Sequence, residues 1–151
     1  MAVFETSLVL NVTREQAFDF LIRPANHERI SPPELGLRFV NPPDELALGT
    51  KFEFKLQAWG MVRSATHEII RFERPLIYIE RQIQGSLKSW QHEHRFEVNS
   101  AGQVVITDRI EFAPPGGLTG MLVTESKLRE NLEDGFHYRH QQLKKLLEGA
   151  A

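Results

Sequence analysis

Apolar and polar residues alternate strictly through Trp90-Gln91-His92-Glu93-His94-Arg95-Phe96 and again through Ile106-Thr107-Asp108-Arg109-Ile110-Glu111-Phe112, with a short polar stretch between the two runs. Period two is the signature of a strand, so the pattern predicts a hairpin with Trp90, His92, His94, Phe96, Ile106, Asp108, Ile110 and Phe112 on one face. If Val98 lies opposite Val104, His94 meets Asp108, His92 meets Ile110 and Trp90 meets Phe112, while Glu93 meets Arg109 on the other face. A slip of one residue would bury Glu93 and Arg109, which argues for this register. The apolar face then carries three titratable groups, a composition that suits a lined cavity better than a plain core.

The rest of the chain supplies five more strand segments and three helical ones. Val3–Leu10 alternates as a strand. Thr13 and Gln16 have capping-box spacing, with Val12 and Ala17 placed for a hydrophobic staple, and a helix is predicted over Arg14–Ile22. Pro24 fits the first turn of a second short helix that ends near Ile30, stopped by Ser31-Pro32-Pro33. The β pattern covers Leu37–Val40, Thr50–Trp59, Met61–Phe72, Leu76–Ile83, Leu87–Val98 and Val104–Phe112, with reversals at Gly60, Pro75, Gly85 and Asn99-Ser100-Ala101-Gly102. Such short connections join antiparallel neighbours. The period then turns helical: Leu128, Leu132, Phe136, Leu143 and Leu147 predict one long amphipathic helix over Thr119–Glu148, with a kink or close packing at Gly135. That helix is the only element long enough to cover the apolar side of the sheet, and a sheet curving around it leaves a cavity between the two.

Composition narrows the classes of function. The 151 residues suit a single domain, 1–151, without repeat or linker. A net charge of −2 and a pI near 6.3 give no electrostatic footprint for nucleic acid. No apolar run approaches the roughly 20 residues of a membrane span, and the start of the chain lacks the character of an export signal, so a cytoplasmic location is expected. With no cysteine, chemistry must come from histidines, carboxylates or hydroxyls.

Three stretches together resemble the START-related helix-grip superfamily, SRPBCC, and within it the polyketide cyclase/dehydrase and lipid-transport branch. The segment Arg23-Pro24-Ala25-Asn26-His27-Glu28-Arg29-Ile30-Ser31-Pro32 is similar to the family's two-helix segment. Gln82-Ile83-Gln84-Gly85, leading to Trp90 through Phe96, is similar to its strand pair. Thr107-Asp108-Arg109 with Leu132-Glu133-Asp134-Gly135-Phe136-His137-Tyr138-Arg139 is similar to its last strand and gripping helix. The resemblance implies an α+β helix-grip fold: a curved antiparallel seven-stranded sheet wrapped around a long C-terminal helix, with two short helices after the first strand. It further implies a START-like domain for a lipid-, sterol- or polyketide-like molecule, and it supplies no catalytic motif to transfer.

The candidate chemistry follows from these placements. Phe52, Phe54, Trp90, Ile110, Phe112, Leu128, Leu132 and Phe136 are expected to wall the cavity, with His92, His94 and Asp108 orienting a small hydrophobic guest. Asp108 either satisfies a buried imidazole, helps fix a ligand, or orients His94 as a general base. A reversal at Gly60 that pairs Phe54 with Thr66 turns Thr66 and Glu68 inward, where a desolvated Glu68 without a partner has a raised pKa and is a second candidate acid or base. Tyr78, Glu80 and Gln82 share one strand face and offer polar contacts. His92 and His94 also suit metal binding by spacing, but a site wants three or four donors, so neither metal nor cofactor is expected. His137, Tyr138, Arg139 and His140 form a mixed polar stripe expected to face solvent. The leading expectation is a binder of a small hydrophobic molecule. A cofactor-independent cyclase or dehydratase using His94 with Asp108, or Glu68, stays open, as do a protein-interaction module and a homodimer.

Overall fold

The computed structural model describes residues 1–149. In chain order the elements are β1 (Ala2–Leu10), α1 (Arg14–Leu21), α2 (Pro24–Ile30), a 3-10 turn (Pro33–Leu35), β2 (Arg38–Val40), β3 (Lys51–Ala58), β4 (Met61–Glu73), β5 (Ile77–Gln84), β6 (Ser89–Val98), β7 (Val104–Ala113), α3 (Gly117–Leu122) and α4 (Glu125–Leu147). The strands form one antiparallel sheet in the order β1-β7-β6-β5-β4-β3-β2. It curves around α4, giving the helix-grip architecture that the pattern and the resemblance imply.

Local chemistry explains where the elements begin. Thr13 and Gln16 close the expected capping box: the Gln16 N–H donates to Thr13 Oγ1 at 3.1 Å and the Thr13 N–H to Gln16 Oε1 at 2.9 Å. Two otherwise orphaned donors are thereby satisfied at the start of α1. Pro24 occupies the first turn of α2, as expected. The single helix expected over Thr119–Glu148 is instead two. Val123 and Thr124 are extended, and the Thr124 hydroxyl accepts from the Lys127 N–H at 3.2 Å, so a second N-terminus starts at Glu125. Val123 is buried in the apolar interior, which the break permits. α4 runs unbroken through Gly135, and no packed neighbour lies within 4 Å of where a Cβ would stand, so the close packing expected there does not occur.

The β6–β7 register is the expected one, with Val98 opposite Val104, His94 opposite Asp108, and Glu93 opposite Arg109. The β3–β4 register is not. Trp59 and Gly60 form a two-residue turn, both with positive φ (54° and 80°), so Ala58 pairs with Met61 and Phe54 with Ala65 rather than Thr66. Tight hairpins favour such φ values because they match the strand twist, and glycine adopts them without steric cost. The one-residue difference turns His67 inward and places Thr66 and Glu68 on the opposite face.

Two apolar clusters fill the inner side of the sheet. One joins Leu10, Phe18, Leu21, Ile69, Tyr78, Phe96 and Ile106 to Leu143 of α4. The other joins Phe4, Ile110 and Phe112 to Leu128 and Phe136 of the same helix.

Candidate functional site

Alternation along four neighbouring strands places His67 (β4), Glu80 (β5), His92 and His94 (β6) and Asp108 (β7) on the inner face in one continuous patch. Irregular pairing between β4 and β5 at Ile69 and Arg71 still leaves Glu80 opposite Ile69 on one side and opposite His92 on the other. His67 Nδ1 lies 2.7 Å from Glu80 Oε2, and His94 Nε2 lies 2.8 Å from Glu80 Oε1. His92 Nε2 lies 2.8 Å from Asp108 Oδ1. His94 Nδ1 approaches the same Asp108 oxygen at 3.2 Å but is misaligned for a hydrogen bond. The two imidazoles stack with centroids 3.7 Å apart, and Tyr78 stacks on the far side of His94 at 4.0 Å. From α4, Arg139 Nη2 comes within 3.7 Å of Asp108 Oδ1.

Little of this patch is exposed to solvent. The side chain of His94 is 0% exposed and that of Asp108 is 2% exposed, so each charge needs its partners. Burial pushes Glu80 up, yet the hydrogen bonds and charge of His67 and His94 outweigh it and hold the carboxyl well below its ordinary range. Burial likewise opposes ionisation of Asp108, and the Arg139 charge, with the hydrogen bond from His92 and the close approach of His94, holds it well below the usual range. His94 is raised because the close Asp108 carboxylate, the hydrogen bond with Glu80 and the charges of both outweigh its desolvation. Its neighbour goes the other way: burial and the charge on His94 push His92 down to about 4. The pair therefore divides its roles, with His94 carrying the proton between two carboxylates and His92 neutral. A neutral His92 that donates through Nε2 to Asp108 keeps its Nδ1 lone pair free. That lone pair faces Glu80 Oε1 at 3.6 Å.

A hollow adjoins the patch. One chamber of about 220 Å³ lies among Phe54, Leu56, Trp59, Leu87, Trp90 and Leu128. A second, about 170 Å³, reaches inward past Phe39, Phe52 and Leu46 to His27, Glu80, His92 and Arg139. The two share Leu35, Phe54, Leu56, His67 and Trp90 as walls. Of the residues expected to line the cavity, Phe52, Phe54, Gln82, Trp90, His92 and Leu128 do so. The others sit elsewhere. Tyr78 is fully buried in the first cluster, with its hydroxyl donating to the Leu21 carbonyl at 3.2 Å. Ile110, Phe112 and Phe136 are packed into the second cluster, and Leu132 packs against it. His94 and Asp108 lie behind Glu80 and His92, one layer from the hollow. Thr66 and Glu68 face outward, Glu68 lying 3.8 Å from Arg81, so the inward carboxylate is Glu80 and not Glu68.

Sequence reasoning missed His67, His27 and Arg139. His67 was recoverable: a two-residue turn at Trp59-Gly60 puts it opposite Phe52. Arg139 does not belong to the solvated stripe expected of its segment; its side chain is 12% exposed and turned toward Asp108. His27 donates through Nε2 to the Leu21 carbonyl, and burial, together with the Arg139 and His94 charges, pushes it down to about 3.

No protein-family model matches the chain, and no curated protein matches it in sequence. Solved structures do match in shape. A protein of Chromobacterium violaceum superposes with a TM-score of 0.74 at 15% identity, covering 98% of each chain. A protein of Mycobacterium smegmatis gives 0.71 at 14% identity, over 97% of this chain and 90% of its own. Ginseng major latex-like protein 151 from Panax ginseng gives 0.68 at 9% identity, over 95% of both chains. At these identities the likeness is one of fold.

Proposed function

We propose that this chain binds a small hydrophobic molecule carrying at least one polar group, a lipid-, sterol- or polyketide-like compound. Its apolar body lies against Phe54, Leu56, Trp59, Trp90 and Leu128, and its polar group reaches His67, Glu80 and His92. The observation that carries this reading is the pair of adjoining chambers between sheet and helix, apolar at one end and edged by an ionised, hydrogen-bonded patch at the other. Ligand sites commonly combine such walls with a few convergent polar groups. No helix among the described residues is long and apolar enough to cross a membrane.

Native mass spectrometry and organic extraction of purified protein test the reading directly. The expected result is an apolar guest that co-purifies, or a saturable thermal shift with members of a lipid and polyketide panel. Protein that stays empty and shows no shift across the panel overturns it.

A second reading, cofactor-independent acid–base catalysis of cyclase or dehydratase type, is favoured by the His67–Glu80 contact at the cavity wall. His94 with Asp108 is set one layer too deep to touch a guest, so the proton-transfer groups are His67 and His92 instead. Turnover that vanishes in His67→Ala while guest binding persists distinguishes this reading from simple binding.

A further inference from the structure

We propose that Glu80, His92 and His94 form a site for one divalent transition-metal ion, with the hollow supplying the remaining coordination position. Their ligand atoms lie within 4.8 Å of one another. Two imidazoles and one carboxylate are a donor set suited to zinc or ferrous iron.

The carrying observation is the convergence of donor atoms on one carboxylate oxygen. Glu80 Oε1 stands 3.6 Å from His92 Nδ1 and 2.8 Å from His94 Nε2, at the edge of the inner chamber. With metal–donor distances of about 2.0–2.2 Å, neighbouring donors around a tetrahedral ion stand about 3.3–3.6 Å apart. The 3.6 Å between His92 Nδ1 and Glu80 Oε1 fits, the 2.8 Å between His94 Nε2 and Glu80 Oε1 opens slightly around an ion, and all three donors lie within 4.8 Å of one another.

The surroundings match what such ligands need behind them. A metal-bound histidine usually gives its other ring N–H to a carboxylate, which fixes the tautomer and raises basicity. Here one carboxylate, Asp108, stands behind both rings, at 2.8 Å from His92 Nε2 and 3.2 Å from His94 Nδ1. His67 holds the far oxygen of Glu80 at 2.7 Å, leaving Oε1 turned toward the two imidazoles. Glu80 and His92 both border the inner chamber, so an ion there is reachable by a small molecule. The site does not depend on an organic guest, and its failure leaves the preceding proposal standing.

The test uses the whole chain stripped with a chelator, titrated with zinc by calorimetry and with cobalt(II) by visible absorption. Saturation near one equivalent, a cobalt spectrum of nitrogen and oxygen coordination, and a raised melting temperature are expected. His92→Ala and Glu80→Gln each weaken binding at least 100-fold, and Asp108→Asn, a positioning residue, weakens it about 10–100-fold. Exposed His137 lies outside the site, so His137→Ala leaves affinity unchanged. Absence of saturable binding in the wild-type chain overturns the proposal, as does binding that survives His92→Ala but is lost in His137→Ala. Should the buried variants fail to fold, crystals of the wild-type chain soaked in zinc decide the matter: an anomalous peak among Glu80, His92 and His94 supports the site, and a peak elsewhere or none refutes it.

Discussion

One sheet face serves two opposite purposes at its two ends. Toward α1 the face is solid: the Phe18 ring meets Phe96, Phe72 and Tyr78 edge-on at 5.0, 5.4 and 5.8 Å, and Leu10, Leu21, Ile106 and Leu143 are sealed from water. Toward the β3–β4 turn it is hollow, with Phe54, Leu56, Trp59 and Trp90 only partly buried around the two chambers. Both ends carry the same alternation of apolar residues, so the strands do not make the difference. The cover does. α1 and the C-terminal half of α4 close the solid end, whereas the hollow end is covered by the N-terminal half of α4, through Leu128, and edged by α2, through Pro24 and His27. A side chain facing a void loses the dispersion contacts that its packed counterpart keeps. Stability should therefore reside at one end and ligand chemistry at the other, with the His–carboxylate patch forming the boundary.

The largest effect should come from paired truncations. Phe18→Ala is expected to cost about 3–5 kcal/mol, because it opens a cavity in close-packed surroundings. Phe54→Ala, lining a space that already exists, should cost about 1–2 kcal/mol. Urea unfolding of both variants measures the contrast directly. Equal losses would mean that the hollow end is as well packed as the solid one.

At the boundary, Asp108→Asn is expected to cost about 2–3 kcal/mol. It removes the charge that Arg139 and the protonated His94 face in a dry environment. The same groups set a pH dependence. His92 and His27 are held near 4 and 3, so below about pH 6.5 the unfolded chain takes up protons that the folded chain refuses. Their contribution destabilises the fold progressively as pH falls from 6.5 toward 4. His94, raised in the folded state, acts in the opposite sense, giving stability below its ordinary value that is lost as pH rises through its folded pKa. His140 is lowered by burial as well, so three lowered groups outweigh one raised group, and a loss on the order of 2 kcal/mol between pH 7 and pH 5 is expected from denaturation midpoints. A flat profile across that window would show that the histidines titrate alike in both states.

How far these regions were legible in the chain depended on the turns. The β6–β7 hairpin could be aligned because charge and aromatic matching on both faces agreed on a single register, so the shared inner face of His92, His94 and Asp108 was legible, whereas the depth of His94 and Asp108 behind the hollow was not. In β3–β4 the only marker was Gly60. A turn centred on Gly60 and one spread over Trp59-Gly60 differ by a single residue, and that residue exchanges His67 for Glu68 on the inner face. The break at Val123-Thr124 was masked because the leucine spacing continues across it, while the Thr124 cap is a local hydrogen-bond event. Arg139 and His27 were illegible for another reason: their burial depends on Asp108 and the Leu21 carbonyl, partners distant in sequence that no helical period reveals.

A cavity-filling variant sharpens the contrast with little cost to the fold. Leu56 borders both chambers, so Leu56→Trp projects a larger ring into space that is already empty and should change stability by less than about 1 kcal/mol. Guest-induced thermal shifts, however, should disappear. If they persist undiminished, the guest sits elsewhere.

The smallest effect belongs to Glu68, and its smallness carries information. The residue sits on the outer face of β4, its side chain 27% exposed and 3.8 Å from an Arg81 that is itself 53% exposed. Solvent-exposed pairs of this kind contribute little, so Glu68→Gln should shift stability by less than about 0.5 kcal/mol and leave guest binding untouched. Glu80→Gln, on the opposite face of the adjacent strand, removes the shared acceptor of His67 and His94 and should lower both stability and guest binding. Because the two carboxylates lie on adjacent strands but opposite faces, comparing the two variants reads out the β3–β4 register in solution. A strong loss from Glu68→Gln would place that side chain indoors and move the register back by one residue, taking His67 out of the site.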